Sequence, residues 1–196
     1  MKDLKIIMLF VLTLFTPILL QAQDNLLDSE KITLETGKKI FDKEGNERQV
    51  QNSPTLKGYS IKKGEKWVKH GVFLRYYSSG KLQSKTTYSY GIKEGQHISY
   101  FSNGEKKFEY NNKNDKPDGT HLQYNDEGTI VREIEYKNGE KNGPDTSYHR
   151  NGKVKGTCTN VNDKWQGEYI AYNDKGKKLY KSIYKNGKQV GKSEYY

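Results

Sequence analysis

The chain has 196 residues, 34 Lys and Arg against 24 Asp and Glu, and a formal net charge of +10. Only 32% of its residues are apolar, and about a quarter of those stand in the first 22, which excludes a thick aliphatic core of the α/β or TIM-barrel kind. A single Cys leaves no intramolecular disulfide framework and no Cys-rich zinc site, while 16 Tyr against 6 Phe favour strands over helices.

The chain opens on Lys2 and Lys5, then runs apolar or small from Ile6 to Leu20, interrupted only by Thr13, Thr16 and Pro17. That run is shorter than the roughly 20 residues that cross a bilayer. Leu20-Gln21-Ala22 offers a small residue for cleavage before Gln23. Residues 1–22 are therefore expected to be a signal peptide, which places the mature protein in the periplasm, on the outer surface or in the medium. An uncleaved membrane anchor is the alternative. Residues 23–57 are expected to form a leader and a degenerate cap. Within them, Gly37 to Gly45 resembles half a unit of the array that follows over 58–196. Gly58 to Gly71, with Tyr59, Ile61 and Trp67, reads as one more strand and turn.

From Gly71 a period of 24 governs the sequence: Gly71, Gly95, Gly119, Gly143, Gly167 and Gly191. Counting from each of these as zero, position five is always Tyr (Tyr76, Tyr100, Tyr124, Tyr148, Tyr172, Tyr196), and position nine of the first five units is Gly80, Gly104, Gly128, Gly152 and Gly176. A fixed period of this size means a repeat array. The x-x-Gly stretches, such as Arg150-Asn151-Gly152, predict a type I turn closed by a Gly at positive φ. Gly91, Asp115, Gly139, Asp163 and Gly187 predict a second tight turn, because Gly and Asp tolerate left-handed backbone. Two turns per unit leave two strands of six to eight residues, so the fold class is all-β, an elongated antiparallel meander of 24-residue β-hairpins.

A period of two along each strand separates the faces. Position three holds Leu74, Ile98, Leu122, Thr146 and Ile170. Positions thirteen to seventeen of the return strand bring Phe108, Tyr110, Ile134, Cys158, Tyr88 and Tyr136. The odd positions are expected to share one apolar face, with the Tyr row on it and Cys158 buried as a small hydrophobe.

The pattern G-x4-Y-x3-G-K followed by Y-K-N-G-x3-G resembles the MORN family of repeats in its bacterial variant form. It stands here as Gly167 through Tyr172, Gly176-Lys177, then Tyr184-Lys185-Asn186-Gly187 and Gly191. The resemblance covers 71–196 strongly and 37–70 weakly. The units at Gly95 and Gly143 depart from it, with Asn112 and Asn160 for the second Tyr and Asp115 and Asp163 for the turn Gly. The resemblance implies a twisted hairpin array that binds proteins or membrane surfaces. Some bacterial members are labelled antitoxins, a role that sits awkwardly with export, since a toxin is usually met in the cytoplasm.

No G-x-S-x-G, P-loop or H-E-x-x-H occurs, so no catalytic, cofactor-binding or metal residue is assigned, no cofactor is expected, and the protein reads as no enzyme. His97 and His121 share position two of consecutive units, too far apart to ligate one zinc at about 2.0–2.1 Å, and read as solvent-facing. Two surfaces carry the partner expectations. Phe73, Tyr77, Phe101 and Tyr169 form an exposed aromatic surface for an unidentified protein partner. Lys93, Lys116, Lys141, Lys164 and Lys188, one at each second turn, form an edge for an anionic envelope lipid or glycan. Lysine at hairpin ends also keeps sheets soluble. Export argues against nucleic acid as a partner. An antitoxin-like inhibitor of a toxin is the third reading.

Overall fold

A computed structural model describes residues 40–41, 47–53 and 55–196 of the chain. The expected signal peptide over 1–22 and the leader that follows it lie outside the described residues. The described chain is entirely strands and turns. Fifteen strands form a single antiparallel sheet: β1 (Ile40–Phe41), β2 (Glu47–Ser53), β3 (Leu56–Lys63), β4 (Lys66–Tyr76), β5 (Leu82–Ser89), β6 (Ile92–Tyr100), β7 (Lys106–Lys113), β8 (Lys116–Pro117), β9 (Gly119–Tyr124), β10 (Ile130–Lys137), β11 (Glu140–Tyr148), β12 (Val154–Val161), β13 (Lys164–Tyr172), β14 (Lys178–Lys185) and β15 (Lys188–Tyr195). Strands pair in chain order, except that β8 pairs with β7 beside β9, so the topology is a meander.

The turns follow from the glycines. In the first loop of each unit, Gly80 Nα donates to Tyr77 O at 2.9 Å and Tyr77 Nα to Lys81 O at 2.9 Å, with Gly80 at φ 80°. Gly104, Gly128, Gly152 and Gly176 repeat that positive φ. The second turn is tighter than Gly alone suggests. Asn138 and Gly139 both lie at positive φ (53° and 92°), as do Asn162 and Asp163 (49° and 66°), which is the two-residue type I′ hairpin whose twist matches that of the strands. Each such turn is stitched to the preceding unit: Gly139 Nα donates to Pro117 O at 2.8 Å and Gly187 Nα to Trp165 O at 2.9 Å. Where Asp replaces Gly the stitch becomes reciprocal, since Asp163 Nα donates to Lys141 O at 3.0 Å and Lys141 Nα donates to Asp163 Oδ1 at 2.8 Å.

The expected apolar face needs correcting. Arg75 pairs with Ser84, but the next residue, Tyr76, pairs with Leu82, and the same slip recurs in the other hairpins. This bulge inserts one residue into the return strand and inverts the alternation beyond it. Odd positions of the outgoing strand and positions thirteen to seventeen of the return strand therefore lie on opposite faces. One face carries positions two, four, thirteen, fifteen and seventeen and, with Ser60 of β3, holds eleven of the thirteen buried residues among those described, including Phe73, Thr86, Asn112, Ile134, Asp145, Cys158, Asn160 and Ser182. This is the packed face. The Tyr row of position five lies on the other, open face with Leu74 and Ile98, of which only Ile98 is buried.

Candidate interaction surfaces

Cross-strand pairing draws one continuous file across the packed face. From β3 to β15 it reads Gly58, Phe73, Thr86, His97, Tyr110, His121, Ile134, Asp145, Cys158, Tyr169, Ser182 and Ser193. Neighbours in such a file have Cβ atoms about 4.5–5.5 Å apart and pack directly. The file divides the face into four stretches of different chemistry.

At the N-terminal end, Phe73 meets Tyr88 edge to face at 5.4 Å, and Lys69 Nζ lies over both rings, at 5.1 Å from the first and 4.9 Å from the second. Next, Thr86 Oγ1 and His97 Nδ1 share a hydrogen bond of 2.8 Å, and the rings of His97, Tyr110 and His121 follow at 4.8 and 4.7 Å. Both histidines have lowered pKa values, chiefly through burial, with Lys93 and His121 adding to it at His97 and Lys141 at His121. They stand inside an aromatic row and do not face solvent as the sequence suggested. Both ring nitrogens of His121 are buried without a hydrogen-bond partner among the described residues.

In the third stretch, Arg132 Nε and Nη2 donate to Asp145 Oδ1 and Oδ2, each at 2.8 Å, and Asn160 Nδ2 donates to Asp145 Oδ2 at 3.1 Å. Cys158 is paired with Asp145 across the strands and buried, and burial pushes its thiol up to about 11. Such a thiol is protonated at neutral pH and unreactive. The fourth stretch is aromatic. Trp165 stacks on Tyr169 at 5.2 Å, with planes 5° apart, and Tyr184 meets Trp165 edge-on at 4.9 Å. Tyr180 lies 5.9 Å from Tyr169 and 5.7 Å from Tyr195, a residue that is 77% exposed.

The four aromatic residues expected to meet a partner do not form one surface. Phe73 is only 3% exposed, because it sits on the packed face against Gly58, where a Cβ would lie 2.6 Å from its ring. Tyr169 shares that face nine strands further on, within the C-terminal cluster. Tyr77 and Phe101 begin first loops at the sheet edge. There the Tyr77 hydroxyl donates to Tyr100 O at 2.7 Å, and Lys107 Nζ lies 5.5 Å from the Phe101 ring centre.

The five lysines also divide. Lys116, Lys164 and Lys188 stand one residue after the turn position and are exposed on the open face. Lys93 and Lys141 stand two residues after it and pair with Tyr88 and Tyr136 on the packed face. The acids between them are engaged: Asp115 Oδ1 accepts from Lys93 Nα at 2.8 Å, Glu94 Oε2 from Asn114 Nα at 2.9 Å and Asp118 Oδ2 from Asn138 Nα at 3.0 Å. The lysine edge is thus one line of turns with charge directed to two faces.

A family model described as the MORN repeat variant matches residues 69–90 and 117–138. Repeats of this family are commonly modules for interaction with proteins or membranes. The matched segments start two periods apart, and the unit between them is the one that carries Asn112 and Asp115 in place of Tyr and Gly. No curated protein matches the chain.

Proposed function

The chain carries MORN-variant repeats, and from that premise we propose that it is an exported, non-enzymatic interaction module whose packed face receives a protein partner at its C-terminal end. The observation that carries this reading is the ring cluster Trp165, Tyr169, Tyr180, Tyr184 and Tyr195. Five rings meet on one face of a sheet that no second layer covers among the described residues. Aromatic groups of this kind give large contact area at small conformational cost and dominate interface energetics. Of the four aromatic residues expected from the sequence to meet a partner, Tyr169 is the one that belongs to this cluster.

The test is capture of partners by the purified mature chain from envelope extract. Trp165→Ala with Tyr169→Ala should abolish the captured band, and added salt should leave it largely unchanged. Retention by the double variant would refute the surface. Mass spectrometry of protein from its host should give a mature N-terminus at or near Gln23, and a retained Met1 in the membrane fraction would refute export. A second reading, binding to an anionic envelope surface, draws on Lys116, Lys164 and Lys188, which are exposed and form no ion pair among the described residues. It predicts the opposite salt response. An antitoxin-like inhibitor is the first reading with a toxin as the partner.

A further inference from the structure

At the N-terminal end of the packed face, β3 to β6 enclose an open cleft of about 190 Å³, lined by Lys69, Arg75, Lys93, Ser84, Thr86 and His97 around the Phe73 and Tyr88 rings, with Leu56 at its margin. Its charge distinguishes it from the rest of the sheet. Elsewhere among the described residues some cations are matched, Arg132 by Asp145, Lys106 by Glu109 and Lys181 by Glu168 and Glu194, and the unmatched Lys116, Lys164 and Lys188 stand exposed, one at each of three separate turns. Here three cations converge, no carboxylate lines the cleft, and none of the three side chains forms an ion pair among the described residues. Lys69 is held over the two rings, so part of this charge stands on an apolar floor where water screens it less.

We infer that this cleft binds a phosphate monoester carried on a small hydroxylated group of sugar size. A phosphate monoester brings about −1.5 to −2 charge and three strong acceptor oxygens, which answers three cationic donors; one carboxylate would leave charge uncompensated. The Ser84 and Thr86 hydroxyls supply neutral hydrogen-bonding groups for the hydroxyls of a carrier. His97 engages Thr86 through Nδ1, leaving Nε2 for the ligand. Lys93 is among the groups that lower the His97 pKa, which is itself a sign of positive potential in the cleft. The cleft, at about 190 Å³, is smaller than the roughly 300 Å³ at which ordinary ligand pockets begin, which suits a small head group whose remainder stands in solvent. This inference does not rest on the protein-binding reading, whose surface lies at the other end of the face.

Isothermal titration of the mature chain with glucose 6-phosphate, inorganic phosphate and glucose, at low and physiological salt, tests it. Glucose 6-phosphate should bind, inorganic phosphate about tenfold more weakly, and glucose not at all. Lys69→Met and Arg75→Met, which keep the apolar stem, should each weaken glucose 6-phosphate by about tenfold. Lys164→Ala with Lys188→Ala should leave it unchanged. Thermal melting of each variant separates loss of binding from loss of fold, and Lys93→Gln provides a third variant if either Met substitution unfolds. No binding of glucose 6-phosphate at millimolar concentration would overturn the inference. So would equal binding of phosphate and its ester, or equal loss on removing the Lys164 and Lys188 charges, because each would mean general attraction to a basic surface. To separate a free ester from the phosphorylated end of a glycan, a phosphomannan-coated resin would compete with glucose 6-phosphate in the second case only.

Discussion

On the packed face, Asp145 is 4% exposed and takes both guanidinium donors of Arg132 and the amide of Asn160. On the open face, Glu109 is partly exposed and takes Lys106 Nζ at 2.7 Å, Gln96 Nε2 at 2.8 Å and the Tyr124 hydroxyl at 3.1 Å. Both are multiply bonded carboxylates on one sheet, yet only the first is shut from water. The two faces differ in the same way in their sequence. The open face repeats itself, with Tyr at position five in every unit and an aliphatic residue at position three in four of the six. The packed face varies from unit to unit: position two is Phe73, His97, His121, Asp145 and then Tyr169. A packed position is fitted to its neighbours. Phe73 fills the space that Gly58 leaves, and a Cβ on Gly156 would meet the Tyr169 hydroxyl at 2.7 Å. Regularity therefore marks the hydrogen-bonded ladder, and irregularity marks the core.

The largest test of that contrast is Asp145→Ala. It strands a half-buried guanidinium on the packed face and should cost about 3 kcal/mol in chemical denaturation. Glu109→Ala on the open face should cost under about 1 kcal/mol, because water reaches its partners. Equal costs would remove the distinction between the faces. Next comes Gly58→Ala, where the added Cβ would lie 2.6–2.8 Å from the Phe73 ring. Overpacking of this kind costs about 1–3 kcal/mol, and Gly58→Ala combined with Phe73→Leu should recover part of the loss.

The turns belong to neither face and calibrate both. Gly152 lies at φ 79° with nothing within 4 Å of the Cβ position, so only backbone strain opposes substitution there. Gly152→Val should cost about 1–2 kcal/mol, whereas Gly152→Asn should cost far less. Equal melting temperatures would reject the turn type. These turns were legible in the sequence because Gly and Asn answer a local demand of the backbone. The faces were not, because a bulge two residues past each x-x-Gly loop, at Leu82 and Gln83 in the first unit, shifts the phase without changing any residue's character. That slip accounts for Phe73 being expected on an exposed surface, for the Tyr row being assigned to the core, and for solvent-facing histidines. The cleft between β3 and β6 was beyond a one-strand reading, since Lys69 of β4 becomes part of it only by lying over the Tyr88 ring of β5.

Protonation separates the faces by sign. Burial first, and then neighbouring charges, lower the pKa of His97 and His121 from 6.5, so the fold prefers both neutral. Their contribution is fully present above the unfolded value and is lost as pH falls below it toward the folded one. The urea midpoint should therefore fall between pH 7.5 and 5.5, before ordinary carboxylates titrate. His121→Phe should flatten that fall, since it keeps the ring packing of the row and removes the titrating group. A midpoint that is flat over this range in the native chain would show that the histidines are open to water after all.

The open face should fail at the other end of the pH scale, and by less. The Tyr148 hydroxyl donates to Glu133 Oε2 at 2.7 Å. Burial, that hydrogen bond and the carboxylate charge push its pKa from 10.0 up to about 12. A raised tyrosine pKa means that the fold prefers the neutral phenol. The contribution is full below pH 10, declines as the unfolded chain begins to ionise, and is gone once pH passes the folded value. Because Tyr148 is mostly in water, the hydrogen bond should be worth only about 0.5 kcal/mol at neutral pH, and Tyr148→Phe should cost about that. The phenylalanine variant should also lose less stability than the native chain between pH 9 and 11, even though lysines deprotonate in both. Tyr148 lies three residues from Asp145 on the same strand but on the other face, so a double variant with Asp145→Ala should show additive costs. Strong coupling between the two would mean that the faces communicate through the strand, and that a single-layer sheet cannot be divided into a packed side and an open one.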